Sequence, residues 1–167
     1  MDIQKTLSAV LFGTLVLTLG GIAASADIYS APLRGGERCS RCERLLENPA
    51  VAGEILSEDK SVASPFRTIA CMLTYLRDKN ISADRIFVAD HVTGRLTRVD
   101  RAHFVRVPIE VLSDNPRYGV GEFDYVAFAS SSLAGRFAPR HGTEPLDWAV
   151  LREADAASAV ARAHSSH

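Results

Sequence analysis

The chain is short of the residues that most often carry metal or redox chemistry, with three cysteines, two methionines and five histidines among 167 residues. It has one C-x-x-C, Cys39-Ser40-Arg41-Cys42, and lacks the second pair that a structural zinc site of two such motifs requires. Glu43 follows Cys42 where haem attachment through C-x-x-C-H needs histidine, which argues against a c-type haem. There is no basic stripe and no interleaving of basic and aromatic residues. With a net charge of −1, this argues against a nucleic-acid partner and equally against an anionic membrane surface. Cysteine is also odd in number, so in an oxidising compartment either one thiol stays unpaired or all three are reduced and bound to something.

What the chain does have begins at its N-terminus. Lys5 precedes an apolar run from Leu7 to Ala24 that ends Ala24-Ser25-Ala26-Asp27, and these are the three parts of a cleavable secretory signal. The run is long enough for a membrane anchor, but no basic stop-transfer cluster follows it. Cys39 is preceded by Gly-Gly-Glu-Arg and not by a small-residue lipobox. The expectation is export to the periplasm with cleavage after Ala26. Residues 27–38 then form a linker, residues 39–152 one domain, and residues 153–167 an Ala/Ser/His-rich tail. The mature chain of about 140 residues can bury a core without disulfide staples, which leaves its cysteines available for chemistry.

Two thiols at C-x-x-C spacing can chelate one soft metal ion or close a small disulfide ring. Whether Cys71 joins them depends on the clearest helical pattern, Pro65 to Lys79. Ser64 is its expected N-cap and Pro65 its first residue, with Phe66, Ile69, Ala70, Leu73 and Leu76 on one apolar face. At roughly 100° per residue, Cys71 lies roughly 160° from Leu73 and shares its side with Arg67, Thr74 and Asp78. Cys71 therefore faces either water or another segment, such as the Cys39–Cys42 turn. Met72 sits at the edge of the buried face, as core filler or as a thioether ligand.

The remaining pattern predicts a strand or helical turn at Ala50–Leu56, a loop at Ser57–Ser64 and a strand at Arg85–Asp90. Thr93-Gly94 turns into Arg95–Val99, and Ala102–Val107 alternates as a strand. A loop over Ser113–Gly121, a strand at Glu122–Ala129, a short helix from Ser130–Ser132 through Arg140 and a last strand at Leu146–Leu151 complete it. Ala154–His167 reads as a frayed helix or tail. Strand–strand–helix–strand can be read twice, once in each half. Of the histidines, His91, His103 and His141 are spread along the chain; His103 alternates with Phe104 on a strand, His141 lies in a loop as a ligand or a surface residue, and His164 and His167 lie in the tail. Asp90 is either an acid near the thiols or a strand-end cap.

Four pieces in order carry a resemblance: Cys39-Ser40-Arg41-Cys42; Pro65 through Leu76 with its Cys71-Met72-Leu73-Thr74-Tyr75-Leu76; Ile86-Phe87-Val88-Ala89-Asp90; and Asn115 through Phe123 with Gly119-Val120-Gly121. In order and spacing the chain resembles the NosL family, exported copper-binding accessory proteins of nitrous oxide reductase maturation, from Cys39 to about Val150. The resemblance implies an α+β fold of two small strand–strand–helix–strand halves, a fold shared with the organomercurial lyases. It implies Cu(I) binding without catalysis, and delivery to a copper enzyme such as nitrous oxide reductase or to its assembly transporter. Cys39, Cys42, Cys71 and Met72 are the candidate Cu(I) ligands, and a homodimer sharing the metal would account for the odd cysteine. The chain departs from the family in two places. Glu43-Arg44 stands where Gly-Met usually follows C-x-x-C, and Arg117 replaces a methionine before Gly119. Beside metal delivery stand three alternatives: a thiol–disulfide oxidoreductase, an organomercurial-lyase-like protein using Cys39, Cys71 and Asp90, and an envelope protein with a plain Cys39–Cys42 disulfide.

Overall fold

Four short strands build the main sheet: β1 (Gly53–Leu56), β2 (Ala63–Phe66), β3 (Ile86–Ala89) and β4 (Leu96–Arg98). The computed structural model describes residues 33–112 and 122–165. The expected export signal, the first half of the linker before Cys39 and the Gly119-Val120-Gly121 loop lie outside the described residues. The sheet is antiparallel with strand order β2-β1-β3-β4, and Gly53 stands opposite Phe66 on one side and Val88 on the other. Helix α1 (Ile69–Leu76) connects β2 to β3 and buries Ile69, Cys71, Met72, Leu73 and Leu76. It packs against β1 closely enough that a Cβ on Gly53 would meet the Met72 sulfur and the Phe87 carbonyl, each at 2.9 Å. Here glycine is required by space alone.

A second, two-stranded sheet follows, β5 (His103–Pro108) paired antiparallel with β6 (Phe123–Phe128). Helix α2 (Ser131–Phe137), capped by the Ser130 hydroxyl, covers it and contributes Ala134 to a separate cluster with Val105, Val107, Val126 and Phe128. The sheets meet where Asp90 bridges Ala127 in parallel and the His91 amide donates to the Ala127 carbonyl at 2.8 Å. The architecture is α+β, as expected, and β1, β2, α1 and β3 follow the strand–strand–helix–strand order in the first half.

Three expectations need correction. Pro65 and Phe66 do not open the helix but belong to β2, and Thr68 is the N-cap, its hydroxyl accepting from the Cys71 amide. Proline is tolerated there because β2 is the sheet edge, where no ladder bond is lost. The Ser57–Ser64 loop is correspondingly shorter, ending where β2 begins at Ala63. Finally, Leu146–Leu151 is not a strand. Leu146 makes one isolated bridge to Phe104, after which the Asp147 carboxylate accepts from the Val150 amide at 2.9 Å and starts helix α3 (Trp148–Ser165). The tail sequence continues this helix, and Asp155 clamps Arg77 of the α1–β3 connection through two bonds of 2.9 Å. Among the described residues no helix is long and apolar enough to cross a membrane.

Candidate metal centre

The C-x-x-C forms the tip of a small hairpin. Arg38 bridges Leu45, the Cys39 amide donates to the Arg44 carbonyl at 2.9 Å, and the Glu43 amide returns to the Cys39 carbonyl at 2.9 Å. Glu43 closes the turn with φ of 60°, in the left-handed region that favours glycine. The tip is tied to the sheet where the Ser40 amide donates to the Pro65 carbonyl on the free edge of β2 at 2.8 Å. The chain then runs through Arg67 and Thr68 into α1, which brings Cys71 back to the tip.

The three sulfurs all lie within 4.8 Å of one another, and those of Cys42 and Cys71 are 3.7 Å apart. Around one metal ion with bonds of about 2.3 Å to sulfur, three thiolates in a plane stand about 4 Å apart, so this spacing fits a shared soft ion. All three cysteines are free; Cys39 and Cys71 are 1% and 2% exposed, while Cys42 is half-buried. The arrangement thus presents two sheltered donors and one that a reaction partner can touch. Of the two outcomes expected for Cys71, the structure takes the second: it faces the Cys39–Cys42 turn and not water.

The same packing sets the protons. A hydrogen bond from Cys71 pulls the Cys39 thiol down to about 4, against the opposing effect of burial; the backbone amides of Arg67, Arg41 and Cys42 add to it. Cys71 moves the other way, raised by its hydrogen bond with Cys39, then by burial and the neighbouring sulfur charges. Cys71 is thus the sulfur that keeps its proton, within reach of both neighbouring sulfurs and 3.7 Å from that of Cys42, while the Cys39 thiol is shifted towards the thiolate. A metal ion bound by all three must displace that proton.

A carboxylate that the sequence reading passed over holds the helix bearing Cys71 in place. Asp124, fully buried on β6, accepts from the Ala70 and Tyr125 amides, each at 2.8 Å. Asp124 thus holds the amide of the residue before the third cysteine, while the Thr68 hydroxyl accepts from the Cys71 amide itself. Burial pushes Asp124 up to about 6, with the Thr68 hydroxyl, the two amides and the nearby Arg67 charge pulling the other way. A lone acid inside the apolar run Phe123–Phe128 was the available signal.

The other candidates fall elsewhere. Met72 is fully buried with its sulfur against Gly53, in the packing between α1 and β1. Asp90 is a strand-end cap, its carboxylate taking the Thr93 amide and hydroxyl and reaching across to the Ala129 amide, each at 2.8 Å. His91 and His141 pack edge-on or tilted against Phe137 beside α2, and His103 pairs with Phe128 in the second sheet. Among the described residues the three cysteines are the one group of Cys, His, Asp or Glu donors close enough to hold a metal ion together. No family model, curated protein or solved structure matches the chain, and the site is read from its own geometry.

Proposed function

We propose that this chain is an exported Cu(I)-binding accessory protein of the NosL type, holding Cu(I) as cargo on Cys39, Cys42 and Cys71. It passes the ion to a copper enzyme such as nitrous oxide reductase, or to the transporter serving that enzyme's assembly, and performs no catalysis itself. The observation that carries this reading is the convergence of the three sulfurs within 4.8 Å. Thiolates are the donors that soft Cu(I) selects. Delivery requires that an incoming ligand reach the ion before the last protein sulfur lets go. Half-buried Cys42 is the sulfur at which such exchange starts, with Cys39 and Cys71 retaining the ion from beneath. The left-handed backbone at Glu43 is the conformation that glycine, usual in the family after C-x-x-C, adopts most readily.

The test is an anaerobic Cu(I) titration of the reduced protein, residues 27–167, against a chromophoric competing chelator, with alkylatable thiols counted before and after. The expected result is one tightly held Cu(I) per chain and protection of all three thiols. One Cu(I) per two chains, with dimerisation on loading, would place the ion between protomers. Failure to compete with the chelator, or full affinity in the Cys39→Ser, Cys42→Ser double variant, would sink the proposal.

A further inference from the structure

A cleft of about 750 Å³ is walled by α1, α3 and the β5–β6 pair, with Arg41 of the C-x-x-C turn also on its lining. That volume lies in the range that takes small organic ligands or a few residues of peptide. Three guanidinium groups, Arg41, Arg77 and Arg106, and two carboxylates, Glu122 and Asp155, line it. Their engagement differs. Arg77 is consumed by the two-pronged pair with Asp155, which joins α1 to α3 and forms one wall. The Arg106 guanidinium carbon sits over the Phe123 ring, 4.0 Å from its centre, and Arg41 lies in the turn between the two cysteines; neither makes an ion pair among the described residues. Stacking on an aromatic face fixes the plane of a guanidinium and leaves its N–H edge free to meet a carboxylate.

We propose that this cleft is a binding site for a carboxylate-bearing ligand, held between Arg41 and Arg106. The chemistry is that of a planar anion gripped by forked donors, which suits carboxylates better than single-point anions. Glu122 contributes specificity in the opposite sense, since it repels a ligand so densely charged that it fills the whole cleft. Two sources share this chemistry: a small dicarboxylate, or the acidic side chains of a protein segment. The position gives the site its interest. Arg41 lies between Cys39 and Cys42, and Ala70, also on the wall, precedes Cys71, so the cleft is lined by chain neighbours of all three cysteines. A carboxylate on Arg41 would draw the tip of the turn towards the cleft.

The binding is measurable on the metal-free, reduced full chain, so it stands or falls apart from the metal-delivery reading. Calorimetric titration is made with succinate and, separately, with an eight-residue peptide of alternating Glu and Ala. Saturable binding of either supports the site, and the tighter of the two names the source. Arg41→Gln and Arg106→Gln should each weaken that binding about tenfold. Arg140→Gln, which removes the same charge from a surface outside the cleft, should leave it unchanged. Arg106→Lys, which keeps the charge and the stem but loses the fork, should fall between wild type and Arg106→Gln. It also answers the question should the glutamine variant fail to fold. No saturable binding of either probe, undiminished binding in the Arg41→Gln, Arg106→Gln double variant, or an equal loss in Arg140→Gln would overturn the proposal.

Discussion

Replacing Asp124 by asparagine should change how stability depends on pH, by an amount the structure sets. Asp124 has no exposed surface, and its folded carboxyl is pushed up to about 6 from an ordinary 3.8. Its folded pKa exceeds its unfolded one, so between these values the native state binds more protons than the unfolded state. Its contribution is therefore fully present below the unfolded pKa and lost as pH rises through about 6. The difference of about two pH units corresponds to roughly 3 kcal/mol. Asparagine keeps an oxygen for the Ala70 and Tyr125 amides but cannot ionise. Urea unfolding in reducing buffer at pH 4 and pH 7 reads the effect. Relative to wild type, Asp124→Asn should gain roughly 2–3 kcal/mol on going to the higher pH. Glu54, also buried and pushed up to about 7 by burial and then by the Glu37 charge, contributes with the same sign in both proteins and cancels in the comparison. Parallel pH profiles for the two proteins would refute the assignment. Asp124→Leu separates charge from hydrogen bonding: it strands two buried amides at a cost of about 1–3 kcal/mol each and should destabilise at both pH values.

Cys71→Ser should weaken Cu(I) binding roughly 100-fold, about 3 kcal/mol for one sulfur of the set, without abolishing it; an unchanged affinity in the chelator competition removes Cys71 from the site. Glu43→Gly should stabilise the fold by about 1 kcal/mol, because glycine relieves the left-handed strain at φ of 60° for a smaller entropic loss; a lowered urea midpoint would count against that geometry. Gly53→Ala should destabilise by about 1–3 kcal/mol, since the added methyl meets the Phe87 carbonyl, a backbone atom that cannot step aside; thermal unfolding at wild-type temperature would show the contact is looser than described. Loading Cu(I) in weak buffer at pH 7 should release protons, at least the one on Cys71, whose thiol is raised by its neighbouring sulfurs and by burial; a proton-neutral titration would leave Cys71 outside the metal's reach.

Much of the architecture was legible because its signals are local. The strands at Ile86–Ala89 and Phe123–Phe128 and the serine-capped helix at Ser131–Phe137 fall where apolar periodicity and turn residues put them. Two boundaries were misread for a shared reason. Ser64-Pro65 and Thr68 both look like helix starts, and Leu146–Leu151 is apolar enough to be a strand; local pattern cannot rank such alternatives. The sheet edge accepts Pro65, and the Asp147 cap commits the last apolar run to helix. By itself the sequence determined that two thiols stand three residues apart on a turn; its apolar pattern set Cys71 off the buried face, whereas α1 buries Cys71 with Ile69, Met72, Leu73 and Leu76. Only the tertiary structure decided that these meet. The Ser40–Pro65 bond docks the turn against the strand that feeds α1, and the Asp124 carboxylate, accepting from the Ala70 amide, fixes the first turn of that helix. Cys71, 29 residues beyond Cys42, then arrives 3.7 Å from it, a convergence that no local spacing encodes.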